Sequence, residues 1–153
     1  MLYLGRTALI TGGSSGIGLE FARIFARRGA NLVLVARSEE RLRETAAALE
    51  EEYGVSVRTI PANLSEKDSV EKIVSGVEDL GLEVSLLVNN AGSGYYGGFS
   101  EGPEPEEVWD GLLVKVLGHD QLGPSLADVA RIEVRAGGCA YCSPRPDPCI
   151  GPG

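Results

Sequence analysis

A glycine-rich segment directly behind a short apolar run constrains the fold of this chain most. Residues 7–11 read Thr-Ala-Leu-Ile-Thr, and residues 12–18 read Gly-Gly-Ser-Ser-Gly-Ile-Gly. A helix face follows, marked by Ile17, Phe21, Ile24 and Phe25. A strand that passes through glycines into a helix offers unpaired N–H groups and the positive end of the helix dipole, which favour an anion. A βα turn without a ligand is the weaker interpretation, because position and flanking elements both fit an anion site.

Strands and helices then alternate up to about residue 118. Further strands are predicted at 31–36, 55–60 and 84–88, and Ser65 is predicted to cap the third helix. The helix faces are Leu42, Ala46, Leu49 and Tyr53, then Val70, Ile73, Val74 and Val77, then Trp109, Leu112, Leu113 and Val116. This alternation predicts an α/β fold with a Rossmann-like, doubly wound parallel sheet of about four βα units. Because the six-strand version needs more units, we expect the sheet to be incomplete.

Composition excludes several classes of function. Twenty-two acidic residues against 14 basic ones leave a net charge of −8, which argues against binding to nucleic acid or to an anionic membrane. The sequence holds neither an 18-residue apolar stretch nor an N-terminal signal pattern. We therefore expect no membrane association and a cytoplasmic location.

Residues 1–118 are predicted to form the nucleotide-binding domain, and residues 119–153 an irregular tail. All three cysteines, the only histidine and five of the eight prolines lie in this tail, where the helical period ends. One hypothesis is that the tail is read out of frame; another is that it is poorly ordered. A zinc site is a third, but the spacing matches no zinc finger, so we expect reduced thiols and no metal. Its ligands would be His119, Cys139, Cys142 and Cys149.

Two motifs resemble those of the short-chain dehydrogenase/reductase family. Residues 11–18 resemble its Thr-Gly-x-x-x-Gly-x-Gly fingerprint, and residues 89–92, after the fourth strand, read Asn-Asn-Ala-Gly as in that family. The resemblance covers residues 1 to about 118. It implies an oxidoreductase that transfers hydride between a nicotinamide cofactor and a carbonyl or alcohol substrate.

NADP is the expected cofactor, because Arg37 stands at the end of the second strand, where an acid would bind the ribose of NAD. Ser14 and Ser38 would add hydroxyl contacts. The resemblance places the adenine beside Asn63 and Leu64, where an amide oxygen replaces the usual acid as acceptor. The remaining cofactor-binding residues are predicted to be Gly12, Ser15, Gly16, Ile17 and Gly18 in the glycine segment, and Asn90, Ala91 and Gly92 at the ribose.

The family's catalytic tyrosine, followed four residues later by lysine, has no counterpart in this sequence. Tyr141 is followed at that distance by Arg145, and Ser143 matches the family's substrate serine by position alone. We therefore expect a chain that lacks the catalytic Tyr-x-x-x-Lys and is inactive alone. A non-catalytic NADP-binding module is the alternative. The fourth helix is the expected surface for self-association, through Trp109, Leu113 and Val116.

Overall fold

A computed structural model describes residues 3–92, 130–135 and 139–143, which contain six strands and three helices. In chain order these are β1 (Thr7–Thr11), α1 (Gly16–Arg27), β2 (Asn31–Ala36), α2 (Glu39–Tyr53), β3 (Val57–Pro61), α3 (Ser69–Asp79), β4 (Leu86–Asn89), β5 (Ala130–Arg135) and β6 (Cys139–Ser143).

The strands form one sheet in the order β3-β2-β1-β4-β5-β6. The first five are parallel, and β6 runs antiparallel to β5. Strand order reverses between β1 and β4, which creates a crevice at their carboxyl ends where open α/β sheets bind ligands. The predicted Rossmann-like, doubly wound α/β fold is confirmed.

The central strand β1 is buried along its whole length because helices cover both faces of the sheet. Leu9 packs into a cluster with Ile73 of α3. Ala8 and Ile10, which point to the opposite face, pack with Phe25 of α1 and with residues of α2. This double burial accounts for the continuous apolar runs of β1 and β2.

The predicted helix faces agree with the structure in α2 and α3, and two details differ. The predicted cap at Ser65 is wrong: α3 begins at Ser69 after Asp68, because the backbone N–H of Ser65 donates to Asn63 Oδ1 in a turn. Ile17, predicted as part of the buried face of α1, is 62% exposed. It lies in the first turn of α1, at the edge of the sheet rather than over it.

The tail also differs from the irregular structure that was expected. Residues 130–135 form β5, which pairs in parallel with β4, and residues 139–143 form β6. The segment Ala-Arg-Ile-Glu-Val-Arg alternates apolar and charged residues, which is a strand pattern, although it lacks the continuous apolar run of β1 and β2. The predicted fourth helix, the boundary at residue 118, His119 and Cys149 lie outside the described residues. Among those that are described, no helix is long and apolar enough to cross a bilayer.

Candidate functional site

The carboxyl ends of β1, β2, β3 and β4 meet at one edge of the sheet. The register pairs Thr11 with Val35, and Ala36 with Pro61, while Val88 of β4 lies beside Ile10. The loops behind these strands therefore leave from the same edge. Every residue predicted to bind the cofactor lies in one of these loops or in the first turn of α1.

The glycine segment turns tightly against the end of β2. Gly12 has a φ of 67°, and its backbone N–H donates to the carbonyl of Val35 at 2.7 Å, with a second bond from Gly13 at 3.4 Å. Helix α1 then begins at Gly16, with Ser15 as its N-cap residue in an extended conformation. The Ser15 side chain makes no capping hydrogen bond, so N–H groups of the first turn remain open to an anion.

Gly18 has no room for a side chain. A Cβ there would lie 2.1 Å from the carbonyl oxygen of Gly12 and 2.5 Å from Nδ2 of Asn90. A Cβ on Gly12 would likewise lie 2.9 Å from Asn90 Nδ2 and 3.1 Å from the Cα of Ala91. These glycines let the first turn of α1 and the loop behind β4 pack closely against the loop behind β1.

Thr11 and Asn90 link the ends of β1 and β4. The Thr11 hydroxyl accepts hydrogen bonds from the backbone N–H groups of Asn90, at 3.1 Å, and Ala91, at 3.0 Å, and donates to the carbonyl of Val88 at 3.4 Å. Sequence reasoning assigned Thr11 no role of its own, although a hydroxyl at the end of an apolar strand is a signal of such a link.

Asn90 was predicted to line the ribose, yet its side-chain amide is committed to the protein backbone. Its Nδ2 donates to the carbonyls of Thr11 at 3.1 Å and Gly12 at 3.3 Å. Ala91 is half-buried and Gly92 exposed at the same edge, so they remain open to a ligand. The structure thus shows Asn90 shaping the glycine loop, and ribose contact by this segment stays a prediction.

Arg37 and Ser38 are exposed in the loop between β2 and α2. Among the described residues, no carboxylate lies within salt-bridge distance of Arg37. Ser38 is the N-cap of α2, and its hydroxyl oxygen accepts from the backbone N–H of Arg41 at 3.4 Å. Arg37 is therefore placed at the edge of the sheet as a cation open to solvent.

The predicted adenine contacts, Asn63 and Leu64, follow β3. The backbone N–H of Ala62 donates to the carbonyl of Ala36 at 3.0 Å, which places this loop beside the loop that carries Arg37. Leu64 is 5% exposed and packs into the core with α3, so its side chain faces inward. Asn63 is half-buried; its Oδ1 already accepts from Ser65 at 3.1 Å, and a carbonyl oxygen has one further lone pair.

Asn89, at the end of β4, is the first residue of the Asn-Asn-Ala-Gly motif, and the sequence analysis assigned it no role of its own. Its side-chain Nδ2 and Oδ1 are buried and find no hydrogen-bond partner among the described residues. The parts of the chain that the structure describes also contain no group of three or more His, Cys, Asp or Glu side chains suited to a metal ion.

Known proteins match the part of the chain that contains these loops. The profile of the family described as short chain dehydrogenase matches residues 6–116. A very-long-chain 3-oxoacyl-CoA reductase from Rattus norvegicus is 41% identical over 92 residues, which is 60% of this chain and 29% of that protein. The chain thus spans less than a third of the length of this relative.

Two solved structures share the fold at 36% identity. One is L-sorbose reductase from Gluconobacter frateurii complexed with NADPH and L-sorbose, with a TM-score of 0.73 over 80% of this chain and 46% of that one. The other is a short-chain dehydrogenase from Sphingobium yanoikuyae in complex with NADPH, with a TM-score of 0.71 over 80% of this chain and 47% of that one.

Proposed function

The chain belongs to the short-chain dehydrogenase family of oxidoreductases, and from this premise we propose that it binds NADP(H) at the carboxyl edge of its sheet. When bound, the nicotinamide would give or accept a hydride, and a carbonyl or alcohol would be its reaction partner. The residues of this chain would hold and orient the cofactor.

The packing of Gly18 against Gly12 is the observation that carries the proposal. Because there is no space for a Cβ at either position, the loop behind β1 lies tightly against the start of α1 and against Asn90. A pyrophosphate can approach backbone N–H groups closely in such a loop, and the dipole of the 12-residue α1 adds attraction. The Thr11–Asn90 link would keep the loop in this shape without the ligand.

Arg37 supports NADP over NAD. An acid at the end of β2 would hydrogen-bond the 2′-hydroxyl of NAD, whereas residues 36–38 read Ala-Arg-Ser. A guanidinium can bind the 2′-phosphate of NADP through two parallel hydrogen bonds. The two structural neighbours named above were solved with NADPH, which is consistent with this preference.

The Arg37→Asp substitution tests the cofactor preference. We expect the dissociation constant for NADPH to rise about tenfold or more, because a phosphate contact is replaced by a like charge. The affinity for NADH should stay the same or increase. The measurement is fluorescence titration of the 153-residue chain with each cofactor. The control is Arg58→Asp, the same charge change at an exposed position on β3; an unchanged NADPH-to-NADH ratio in Arg37→Asp would remove Arg37 from the site.

We propose further that the chain alone transfers no hydride, because its sequence contains no tyrosine with a lysine four residues later. The alternative, a module that only binds NADP(H), gives the same binding results. A 3-oxoacyl thioester is the first substrate class to assay, given the rat relative's name. NADPH oxidation by the purified chain in that assay would refute the proposed inactivity.

A further inference from the structure

We infer that Arg41 is a second guanidinium, in addition to Arg37, that binds the 2′-phosphate of NADP(H). The inference rests on the proposed function and adds to it a residue that sets cofactor specificity. It depends on which side of α2 carries Arg41, on where α2 begins, and on the charges around that first turn.

Arg41 lies on the side of α2 that faces α1. A shallow groove between the two helices is lined on the α2 side by Thr45 and Ala48, among others, and on the α1 side by Leu19 and Arg23. Arg41 precedes Thr45 by four residues and Ala48 by seven, so all three share one stripe of the helix. Arg41 therefore extends the α1-facing stripe into the first turn of α2.

Both helices begin at the edge of the sheet where the cofactor is proposed to bind. Helix α1 starts at Gly16 behind β1, and α2 starts at Glu39 behind β2, the neighbouring parallel strand. The first turn of α2 and the loop that contains Ser14 and Ser15 thus follow neighbouring strands at the same edge of the sheet. A guanidinium on the α1-facing side of that turn lies on the side of α2 toward this loop.

Two acidic residues, Glu39 and Glu40, lie in the first turn of α2, yet Arg41 has no anionic partner among the described residues. Glu39 pairs with Arg43, at 2.5 Å between Oε1 and Nη2. Arg41 is exposed, and no carboxylate of the described residues lies within 4.0 Å of it. A cation in the first turn of a helix is disfavoured by the positive end of the dipole. An anion bound beside Arg41 would offset this unfavourable interaction.

A phosphate monoester is the anion that fits these features. It carries more than one negative charge and three acceptor oxygens, enough for two guanidinium groups that approach from different sides. Arg37 would approach from the loop behind β2, and Arg41 from the helix. NADH, which lacks this phosphate, would gain little from Arg41.

Binding of NADPH and NADH to the full chain, measured by titration of the wild type, Arg41→Gln and Arg41→Lys, tests the inference. We expect Arg41→Gln to weaken NADPH about five- to tenfold and NADH less than about twofold. Arg41→Lys should recover part of the loss. Arg58→Gln is the matched control. Val57 packs on the face of the sheet that α1 and α2 cover, and successive strand residues alternate between faces, so the exposed Arg58 lies on the opposite face from Arg41.

Thermal unfolding without cofactor separates this role from a structural one. The melting temperature of Arg41→Gln should stay the same or rise, because a disfavoured cation leaves the first turn. Unchanged NADPH affinity in Arg41→Gln, together with weakened affinity in Arg37→Asp, would overturn this inference alone. Failure of the wild-type chain to bind NADPH would overturn the proposed function and, with it, the inference.

Discussion

At the scale of single residues, Gly18 shows that close packing, and not only backbone flexibility, requires glycine in the glycine segment. Its backbone does not need a positive φ, in contrast to Gly12 and Gly16. What it needs is the space that a Cβ would take, since the carbonyl oxygen of Gly12 would be only 2.1 Å from that atom. Neither backbone can move away without opening the turn.

The Gly18→Ala substitution should therefore lower the free energy of unfolding by about 3 kcal/mol, because an added methyl group meets backbone atoms. Gly16→Ala is the matched control. A Cβ at Gly16 meets no atom within 4 Å, but its φ of 54° costs an alanine about 1 kcal/mol. Chemical denaturation of both variants measures the difference, and equal losses would contradict the account of Gly18.

Sequence reasoning found the glycine residues but did not reveal contacts between residues that lie far apart along the chain. The spacing of glycines behind an apolar run indicates a phosphate loop from local features alone. The commitment of Asn90 to the carbonyls of Thr11 and Gly12 depends on contacts across more than 75 residues. Ile17 shows the same limit, because the helical period places it on a face without showing that the sheet ends before it.

At the scale of secondary-structure elements, the main feature is the set of hydrogen bonds that links the ends of β1 and β4. These strands meet where the strand order reverses. Thr11 is 1% exposed, and its hydroxyl accepts hydrogen bonds from two backbone N–H groups behind β4. Without it, the N–H groups of Asn90 and Ala91 lose their acceptor in a half-buried position. The shape of the crevice thus depends on a side chain that need not touch the ligand.

The Thr11→Val substitution keeps the shape of the side chain and removes the acceptor. We expect it to lower the free energy of unfolding by about 2 kcal/mol, because N–H groups are left unpaired, and to weaken NADPH binding. Thr59→Val on β3 is the control; its hydroxyl bonds no other described side chain or backbone group, so it should change stability by less than about 0.5 kcal/mol. A Thr11→Val protein as stable as the control would contradict the link.

Helices and strands were predictable from the sequence where a single local pattern was sufficient to define them. The buried face of α2 followed from its period, and Gly54 ended that helix with a φ of 67°. The start of α3 was misplaced because Ser65 and Ser69 both suit a helix start, and the Asn63 turn decides between them. Strand β5 was not predicted, because its charged residues interrupt the apolar run expected of a buried parallel strand. Its assignment depends on the parallel pairing with β4, which the sequence does not show.

In the described part of the chain, the loops proposed to bind the cofactor come together at one edge of the sheet from distant parts of the sequence. Helices α1 and α2 cover one face of the sheet and α3 the other, so the free edge at the carboxyl ends is where these loops meet. The family match covers residues 6–116, which include the loops behind β1, β2, β3 and β4. The central claim is that NADP(H) binds there.

Titration of the isotope-labelled chain with NADPH, followed by the backbone amide signals of each residue, tests that claim most directly. We predict saturable shifts at residues 12–18, 37–41 and 90–92, with weaker effects from NADH at residues 37–41. Signals from Val57 and Arg58, which lie away from the carboxyl edge on β3, should stay in place. An absence of shifts at saturating NADPH, or shifts confined to the groove between α1 and α2, would contradict it.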